Sequence, residues 1–408
     1  MQPEWIPYAQ PTLLGNEAEF VADALRSTWI SGGPYVEEFE RQIACLNSVP
    51  YAVAVSNGTA ALHLALLALG IGPGDEVIVP AFTFAAAANM AIAVGAKVVT
   101  ADVDPHTWCI DPASVARVIS SRTRAIIPVH LYGNVADLDA LQEIAAPLGV
   151  DIIEDAAEAA FSKYKGRVAG SIGRLGILSF HAAKTITTGE GGMVLTADKA
   201  LYDRMMLLRN QGMRKEKPYW HEIVGFNFRL TNIQAAFGCA QLQKLDVIRS
   251  DRARVRQTYS RLLRDVDGFR EQEIPETVEA VLWAFAGQIV EEGSTLDFVE
   301  HCRDDVMVRM KEQGIETRPG FYALGALPLY KCQNMPNARR LAASVISLPT
   351  YPALDDAKIE RICEKLRESL AEVVRSRAAS IGHHEAWLQR GDRSVIERSR
   401  IPASTAAE

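Results

Sequence analysis

Short runs rich in β-branched residues alternate with helical patterns between about residue 50 and residue 200. This alternation is typical of parallel strands, because consecutive parallel strands must be joined by a crossover that is usually a helix. Residues 59–69 carry leucines at helical spacing, and residues 137–148 open with acidic side chains that suit a helix N-terminus. The pattern predicts an α/β domain with a mostly parallel sheet. The candidate strands are residues 51–56, 76–79, 97–101, 124–130, 150–154 and 175–180.

A smaller α+β domain is predicted after the large one. The pattern is helical over residues 231–264, strand-like over 283–290 and helical again over 296–313, and a last helix over 355–375 closes the domain. We therefore divide the chain into a large domain with an N-terminal arm (1–240), a small C-terminal domain (241–376) and a polar, mobile tail (377–408). The tail has few apolar residues to bury.

The composition argues against several classes of partner. The 408 residues are 48% hydrophobic and 23% charged with a net charge of -7, so a surface for nucleic acid is not expected. Six scattered cysteines without a Cys-x-x-Cys pair are typical of reduced thiols in the cytoplasm. Neither an export signal nor an apolar stretch long enough to span a membrane is apparent. We expect a cytoplasmic protein without a membrane, nucleic-acid or metal site.

Lys184 lies in a segment suited to covalent binding of a cofactor. It follows an apolar, strand-like run and precedes the glycine-rich residues 189–192. A lysine becomes a nucleophile toward carbonyl groups where its surroundings let it lose a proton, and glycines allow the backbone to approach a flat cofactor closely. A solvated lysine before a glycine turn is the alternative interpretation.

Three predicted strand ends carry further chemistry. Residues 56–62 join a strand to a helix, where free N–H groups and the helix dipole favour a phosphate, although a simple capping turn is the alternative. Asp155 ends a strand, and ligands collect beyond the carboxyl ends of parallel strands. Such a carboxylate can keep a pyridine nitrogen protonated, and a solvated helix start is its alternative. Phe84 follows another strand and suits either stacking on a ring or core packing.

Together these segments resemble the DegT/DnrJ/EryC1/StrS family of sugar aminotransferases, over about residues 10 to 375. The resemblance implies the aspartate aminotransferase-like fold (fold type I) and the cofactor pyridoxal 5'-phosphate or its pyridoxamine form. It also implies that Lys184 holds the cofactor and Asp155 faces the ring nitrogen, while Asn227 reaches the phosphate of the other subunit in a homodimer with shared active sites. The other implied cofactor contacts are Gly58, Thr59 and Ser179 near the phosphate, Phe84 on the ring face and Glu158 near the ring hydroxyl.

The resemblance also indicates a substrate. Residues 219–232 and 315–319 are most similar to family members that aminate C4 of GDP-4-keto-6-deoxymannose, with glutamate as donor and 2-oxoglutarate as product. A dTDP- or UDP-linked keto sugar is an alternative. So is a non-catalytic, sugar-sensing regulator of the same fold, which should lack Lys184, Asp155 or the phosphate loop. The expected contacts to the sugar nucleotide are His181, Trp220, His221, Arg318 and Tyr322.

Overall fold

The computed structural model describes residues 4–13, 15–214, 216–290, 294–330 and 335–389, with side chains as far as Val373. The strands are β1 (Tyr51–Val55), β2 (Glu76–Pro80), β3 (Lys97–Ala101), β4 (Thr123–Ile126), β5 (Asp151–Asp155), β6 (Lys163–Tyr164), β7 (Arg167–Val168), β8 (Leu175–Ser179), β9 (Gly192–Thr196), β10 (Phe269–Glu271), β11 (Val278–Glu279), β12 (Phe285–Ile289), β13 (Arg318–Pro319) and β14 (Val345–Leu348).

The helices follow the strands in the expected alternation through the first half of the chain. They are α1 (Glu17–Arg26), α2 (Pro34–Leu46), α3 (Gly58–Ala68), α4 (Ala86–Ala93), α5 (Pro112–Val118), α6 (Leu138–Ala145), α7 (Lys199–Arg209), α8 (Asn232–Leu242), α9 (Leu245–Leu263), α10 (Leu296–Glu312), α11 (Pro336–Ser344) and α12 (Asp356–Gln389). Three short 3-10 turns add to these: Leu131–Gly133, Ala146–Leu148 and Leu324–Ala326.

The principal sheet has seven strands in the order β1-β9-β8-β5-β4-β2-β3. Strands β3, β2, β4, β5 and β8 pair in parallel, and β9 pairs antiparallel with both β8 and β1. Strands β1 and β2 are consecutive in the chain but lie far apart in the sheet. Because β5 and β8 are parallel neighbours, their carboxyl ends meet at one edge, where a ligand site is expected.

Helix α3 packs into the core on nearly all sides, because its sequence is apolar around the whole circumference. Its N-cap is Asn57, whose Oδ1 accepts a hydrogen bond from the Ala60 N–H at 2.8 Å. The buried helix contacts β8 and β9. Its N-terminus is consequently held beside the carboxyl end of β8.

A second sheet, in the order β10-β12-β14-β13, packs with α9, α10 and α12 around a separate apolar core. The buried carboxylate of Asp102, which directly follows β3, joins this part of the chain to the principal sheet. It accepts hydrogen bonds from the N–H groups of Asn337 and Ala338, at the N-terminus of α11. Because those N–H groups lack partners within the helix, the carboxylate stabilises the helix start.

The sequence located most elements of the principal sheet and missed one strand. The predicted α/β fold with a mostly parallel sheet is confirmed, but β9 was not among the predicted strands. The last helix, α12, ends at Gln389 rather than at the predicted residue 375. The predicted mobile tail from residue 377 thus begins within a helix, and residues 390–408 lie outside the described part of the chain. No helix in the described residues is both long and apolar enough to cross a membrane.

Candidate active site

The phosphate end of the candidate site lies where the start of α3 approaches β8. A Cβ atom added at Gly58 would lie 3.0 Å from the Cβ of Ser179, and one added at Gly192 would lie 2.4 Å from the Asn57 carbonyl oxygen. Glycine at these positions permits the close approach. Thr59 is exposed at the start of α3. The free N–H groups of the helix and the Ser179 hydroxyl therefore share a small region suited to a phosphate.

Lys184 lies in the loop between β8 and β9, and its side chain is 14% exposed. Its Nζ is 3.7 Å from Glu158 Oε1 and 4.0 Å from the ring centroid of Trp283. Burial lowers the pKa of Lys184, while the charges of Glu158 and Asp155 act in the opposite direction. This combination favours an amine that can exist without its proton, as a nucleophile requires.

Asp155 and Glu158 are two buried carboxyl groups beside Lys184. Burial raises the pKa of Asp155, and a hydrogen bond from the Ala157 N–H at 3.1 Å opposes this shift. Burial raises the pKa of Glu158 to about 7, with Lys184 as the main opposing influence. The two acids therefore differ from ordinary surface carboxylates, and groups with such shifted pKa values are typical of functional sites.

A buried hydrogen-bond network fixes the strand that carries Asp155. The His130 N–H donates to the Asp155 carbonyl at 3.0 Å. His130 Nδ1 accepts from the Ala136 N–H, so its Nε2 carries the proton and donates to Glu154 Oε2 at 3.0 Å. Glu154 also accepts hydrogen bonds from the N–H groups of Gly170, Ile172 and Gly173. The hydrogen bonds of His130 and Glu154 thus hold the end of β5 in place.

Sequence reasoning missed the aromatic residues that surround Lys184. Tyr132 has φ +58°, an uncommon backbone conformation for a tyrosine, and its N–H donates to Glu158 Oε2 at 3.2 Å. Its ring stacks between those of Trp283 and Phe321, at centroid distances of 5.6 and 5.8 Å. Trp283 and Phe321 are 99 and 137 residues away from Lys184 in sequence, so no local pattern could associate them with it. Only the position of Tyr132 after a strand offered a signal.

The N-terminal arm reaches the same region through Tyr8, which was also missed. Burial raises the pKa of the Tyr8 hydroxyl, and Ser347 on β14 is its hydrogen-bond partner. The guanidinium of Arg318 lies 5.4 Å from the Tyr8 ring centroid and forms an ion pair with Glu316 at 2.7 Å. Arg318 is therefore placed beside the buried group, with an exposed side chain.

Three other predicted contact residues lie at more exposed positions. Phe84 is exposed, and its ring centroid is 6.1 Å from that of Phe321. Tyr322 is exposed and directly follows Phe321. His181 begins the loop that carries Lys184, and its Nδ1 accepts a hydrogen bond from the Ala183 N–H at 3.2 Å. Phe84 and Tyr322 are thus connected to the lysine region through Phe321, and His181 is connected to it through Ala183.

The remaining predicted contacts lie on residues 219–229, which we call the aromatic loop. Trp220 is 52% exposed and is covered by Lys217, whose Nζ is 3.6 Å from the ring centroid. The His221 ring bonds to the Gln211 carbonyl at 2.7 Å, and Asn227 Oδ1 accepts from Arg229 Nε at 3.0 Å. Within the described residues, none of the three forms a hydrogen bond or ion pair with Lys184, Asp155 or Glu158. The single chain does not bring them into the lysine region.

These residues fit pyridoxal phosphate. Lys184 supplies a buried amine, Asp155 supplies a buried carboxylate at the neighbouring strand end, and the start of α3 supplies N–H groups for a phosphate. The glycine contacts at Gly58 and Gly192 leave the phosphate region free of side-chain carbon. No cluster of side chains suited to a metal ion occurs among the described residues.

Comparison with known proteins agrees with this geometry. The chain matches the DegT/DnrJ/EryC1/StrS aminotransferase family over residues 11–367. It is 40% identical to GDP-perosamine synthase of Escherichia coli O157:H7 and 42% identical to GDP-perosamine synthase of Caulobacter vibrioides, in each case over 90% of this chain and 98% of the relative. The PMP form of the sugar aminotransferase Spr1654 from Streptococcus pneumoniae superimposes with a TM-score of 0.86, at 29% identity, over 92% of this chain and 100% of its own.

The chain therefore belongs to the DegT/DnrJ/EryC1/StrS aminotransferase family. The predicted fold type I architecture, the aminotransferase class and the cofactor pyridoxal phosphate are confirmed with it. The alternative of a non-catalytic regulator is not supported, since Lys184, Asp155 and the phosphate loop are all present.

Proposed function

We propose that the chain transfers an amino group from glutamate to C4 of GDP-4-keto-6-deoxymannose and so forms GDP-perosamine. The observation that carries this proposal is the near full-length similarity to relatives named GDP-perosamine synthase, combined with a buried lysine and two buried carboxyl groups at the sheet edge.

Lys184 acts as the residue that holds the cofactor and moves the reacting proton. When bound, pyridoxal phosphate supplies an electrophilic carbonyl and a protonated ring that takes up electrons released from a C–H bond. The Lys184 amine accepts the proton from the α carbon of the donor, and in the reverse sequence of steps it delivers a proton to C4 of the sugar. Burial supports this role because it lowers the pKa of the amine.

Asp155 and Glu158 have separate roles. Asp155 would face the ring nitrogen of the cofactor and keep it protonated, and the hydrogen-bond network behind β5 holds the strand that carries Asp155 in place. Glu158, whose pKa is about 7 and which lies 3.7 Å from Lys184 Nζ, takes up or releases a proton as the charge of the lysine changes. Gly58, Thr59 and Ser179 would hold the phosphate of the cofactor, and Phe84 would lie on its ring face.

The active unit is a homodimer in which Asn227 serves the site of the partner subunit. Large side chains on the aromatic loop are exposed in the single chain, including Tyr219 at 89% and Val224 at 86%. Beside the loop, a groove of about 1210 Å³ runs between α2, α7 and residues 223–230. Exposed apolar groups next to a groove are typical of an interface. Trp220 and His221 would then contact the sugar nucleotide across the interface, opposite His181, Arg318 and Tyr322.

The substrate is tested by comparing kcat/KM for GDP-4-keto-6-deoxymannose with the values for dTDP- and UDP-linked 4-keto-6-deoxy sugars, with glutamate as donor. We expect the GDP sugar to be preferred by at least tenfold, which corresponds to about 1.4 kcal/mol in transition-state binding. A tenfold preference for either other nucleotide would overturn the GDP assignment and leave the aminotransferase intact. Omitting glutamate is the control, since no amino sugar should then accumulate.

A further inference from the structure

Arg252 on α9 is a buried cation that contacts the main chain of Lys184. The residue is 3% exposed. Its Nη2 donates to the Lys184 carbonyl at 3.1 Å, and its Nη1 donates to the carbonyl oxygens of Leu282 and Trp283 at 2.9 Å each. One guanidinium thus joins the loop of Lys184 to the segment before β12, which is distant in sequence.

This arrangement is costly for a residue that only fills space. Arg252 forms no ion pair with any Asp or Glu among the described residues, and its Nε has no hydrogen-bond partner there. Burial lowers its pKa to about 10. A buried charge without an opposite charge is unfavourable, and an apolar side chain of similar volume would usually pack at lower cost. The three carbonyl contacts are what an apolar residue could not provide.

Trp283 contacts the same lysine at its other end. Its indole Nε1 donates to the Ala183 carbonyl at 2.9 Å, so the ring is fixed to the residue before Lys184. The ring face lies 4.0 Å from Lys184 Nζ. A cation over a tryptophan face is attracted to the ring electrons, and the ring therefore favours one direction of the lysine side chain.

We propose that Arg252 and Trp283 are positioning residues that hold Lys184 from both ends, Arg252 at its main-chain carbonyl and Trp283 at its amine. The inference rests on the proposed role of Lys184 as the cofactor lysine. Neither residue is expected to touch the cofactor or the substrate. Their effect is to keep the amine in the one geometry from which it reacts, and a displacement of about 1 Å is sufficient to slow a reaction about a hundredfold.

The first experiment measures how fast Lys184 of the cofactor-free protein forms its covalent link to pyridoxal phosphate. Samples are reduced with borohydride at timed intervals, and the labelled peptide is quantified by mass spectrometry. We expect Arg252→Met to slow labelling of Lys184 at least tenfold. Arg249→Met is the matched control, because Arg249 lies three residues earlier on α9 and its side chain forms no hydrogen bond or ion pair with the described residues.

A second measurement separates positioning from general damage. 4'-Deoxypyridoxine phosphate has no carbonyl and binds without a covalent bond, so its dissociation constant reports the rest of the pocket. We expect this constant to change less than about threefold in Arg252→Met while labelling slows, because only the lysine is displaced. Equal losses in both measurements would mean that Arg252 merely supports the fold, and the proposal would be wrong.

Chemical rescue tests the same contact in a protein that has lost it. In Arg252→Ala, 10 mM methylguanidinium should restore part of the labelling rate by donating to the three carbonyls, whereas sodium chloride at the same ionic strength should not. Arg252→Lys keeps a charge without the planar fork and should recover less than half of the rate. If Arg252→Ala does not fold, Arg252→Lys and Arg252→Met still decide the question.

The Trp283 end is tested by Trp283→Phe and Trp283→Leu. Phenylalanine keeps a ring face and loses the bond to Ala183, while leucine loses both, so we expect labelling rates in the order wild type, Phe and Leu, with Leu about tenfold below wild type. Equal labelling rates for Trp283→Phe and Trp283→Leu would show that the ring face of Trp283 does not position Lys184. Absence of label at Lys184 in the wild type would instead refute the proposed function itself, and rates in Arg252→Met that match Arg249→Met would refute only this inference.

Discussion

The surroundings of Lys184 and the aromatic loop differ in how complete they are within one chain. Lys184, Asp155 and Glu158 are buried and lie close together, and Lys184 also contacts Arg252 on α9 and Trp283 before β12. The aromatic loop, residues 219–229, carries exposed Trp220 and contacts β1 and α3, with no hydrogen bond or ion pair to Lys184, Asp155 or Glu158 among the described residues. Reaction chemistry therefore depends on groups whose pKa values the fold itself shifts, while the loop supplies exposed surface that the proposed dimer would cover.

This difference indicates how the two regions can vary independently. A buried carboxyl or lysine is sensitive to each neighbour, because burial and nearby charges determine its protonation. An exposed loop tolerates substitution with little effect on stability. The same chemistry can consequently be combined with different loops, which explains why the family resemblance was strong for the cofactor and weaker for the nucleotide.

The largest expected effect is that of Lys184→Ala. We expect a normal fold and a loss of transamination of roughly 10⁴-fold or more, since both the covalent link and the proton transfer depend on this amine. Borohydride should no longer attach pyridoxal phosphate to the chain. Turnover is measured by the amino sugar formed, and Lys199→Ala, at an exposed ion pair with Asp203, is the control. Full turnover in Lys184→Ala would show that the Lys184 amine is not catalytic.

The fold was predictable to the extent that local patterns determine it. Residues 97–101 were assigned as a strand with the correct bounds, because three consecutive β-branched side chains lie there between turn signals. Strand β9 was missed since its sequence, Gly192–Thr196, opens with glycine and directly follows the glycine-rich turn. Its identity as a strand depends on pairing with β1 and β8, which no local pattern reveals.

The candidate site was predictable where its residues follow strand ends. Asp155 and Ser179 end β5 and β8, so topology alone brings them to one edge. Trp283 and Arg252 could not be found in this way, because their contacts with Lys184 come from tertiary packing across the two sheets. The roles of the aromatic loop rest on the proposed homodimer, and they therefore stay predictions.

A second, smaller effect tests whether the aromatic loop completes the site of another chain. Lys184→Ala and Asn227→Asp chains are each expected to be nearly inactive. Mixed after reversible dissociation, they should form heterodimers in which one of two sites has both native residues, and so regain about a quarter of wild-type activity. Subunit exchange is followed by mass spectrometry of tagged chains. No recovery despite complete exchange would mean that each chain uses its own Asn227.

The smallest expected effect concerns pH and the free energy of unfolding of the cofactor-free chain. Burial raises the pKa of Glu158 from 4.5 to about 7, so the folded state favours the protonated carboxyl. The resulting stabilisation is fully present below about pH 4.5 and is lost as the pH rises through about 7, to a maximum of about 3 kcal/mol.

Glu158→Gln keeps a neutral side chain facing Lys184, Asp155 and the Tyr132 N–H at every pH. Its Tm should therefore exceed that of wild type by a margin that grows by a few degrees between pH 5 and pH 8. Glu190→Gln, at an exposed position in the loop that carries Lys184, should show no such growth. A constant difference in Tm between Glu158→Gln and wild type across this range would mean that the wild-type Glu158 carboxyl is ionised throughout, like a carboxyl at the protein surface. The lysine region would then differ less from the exposed aromatic loop than we infer.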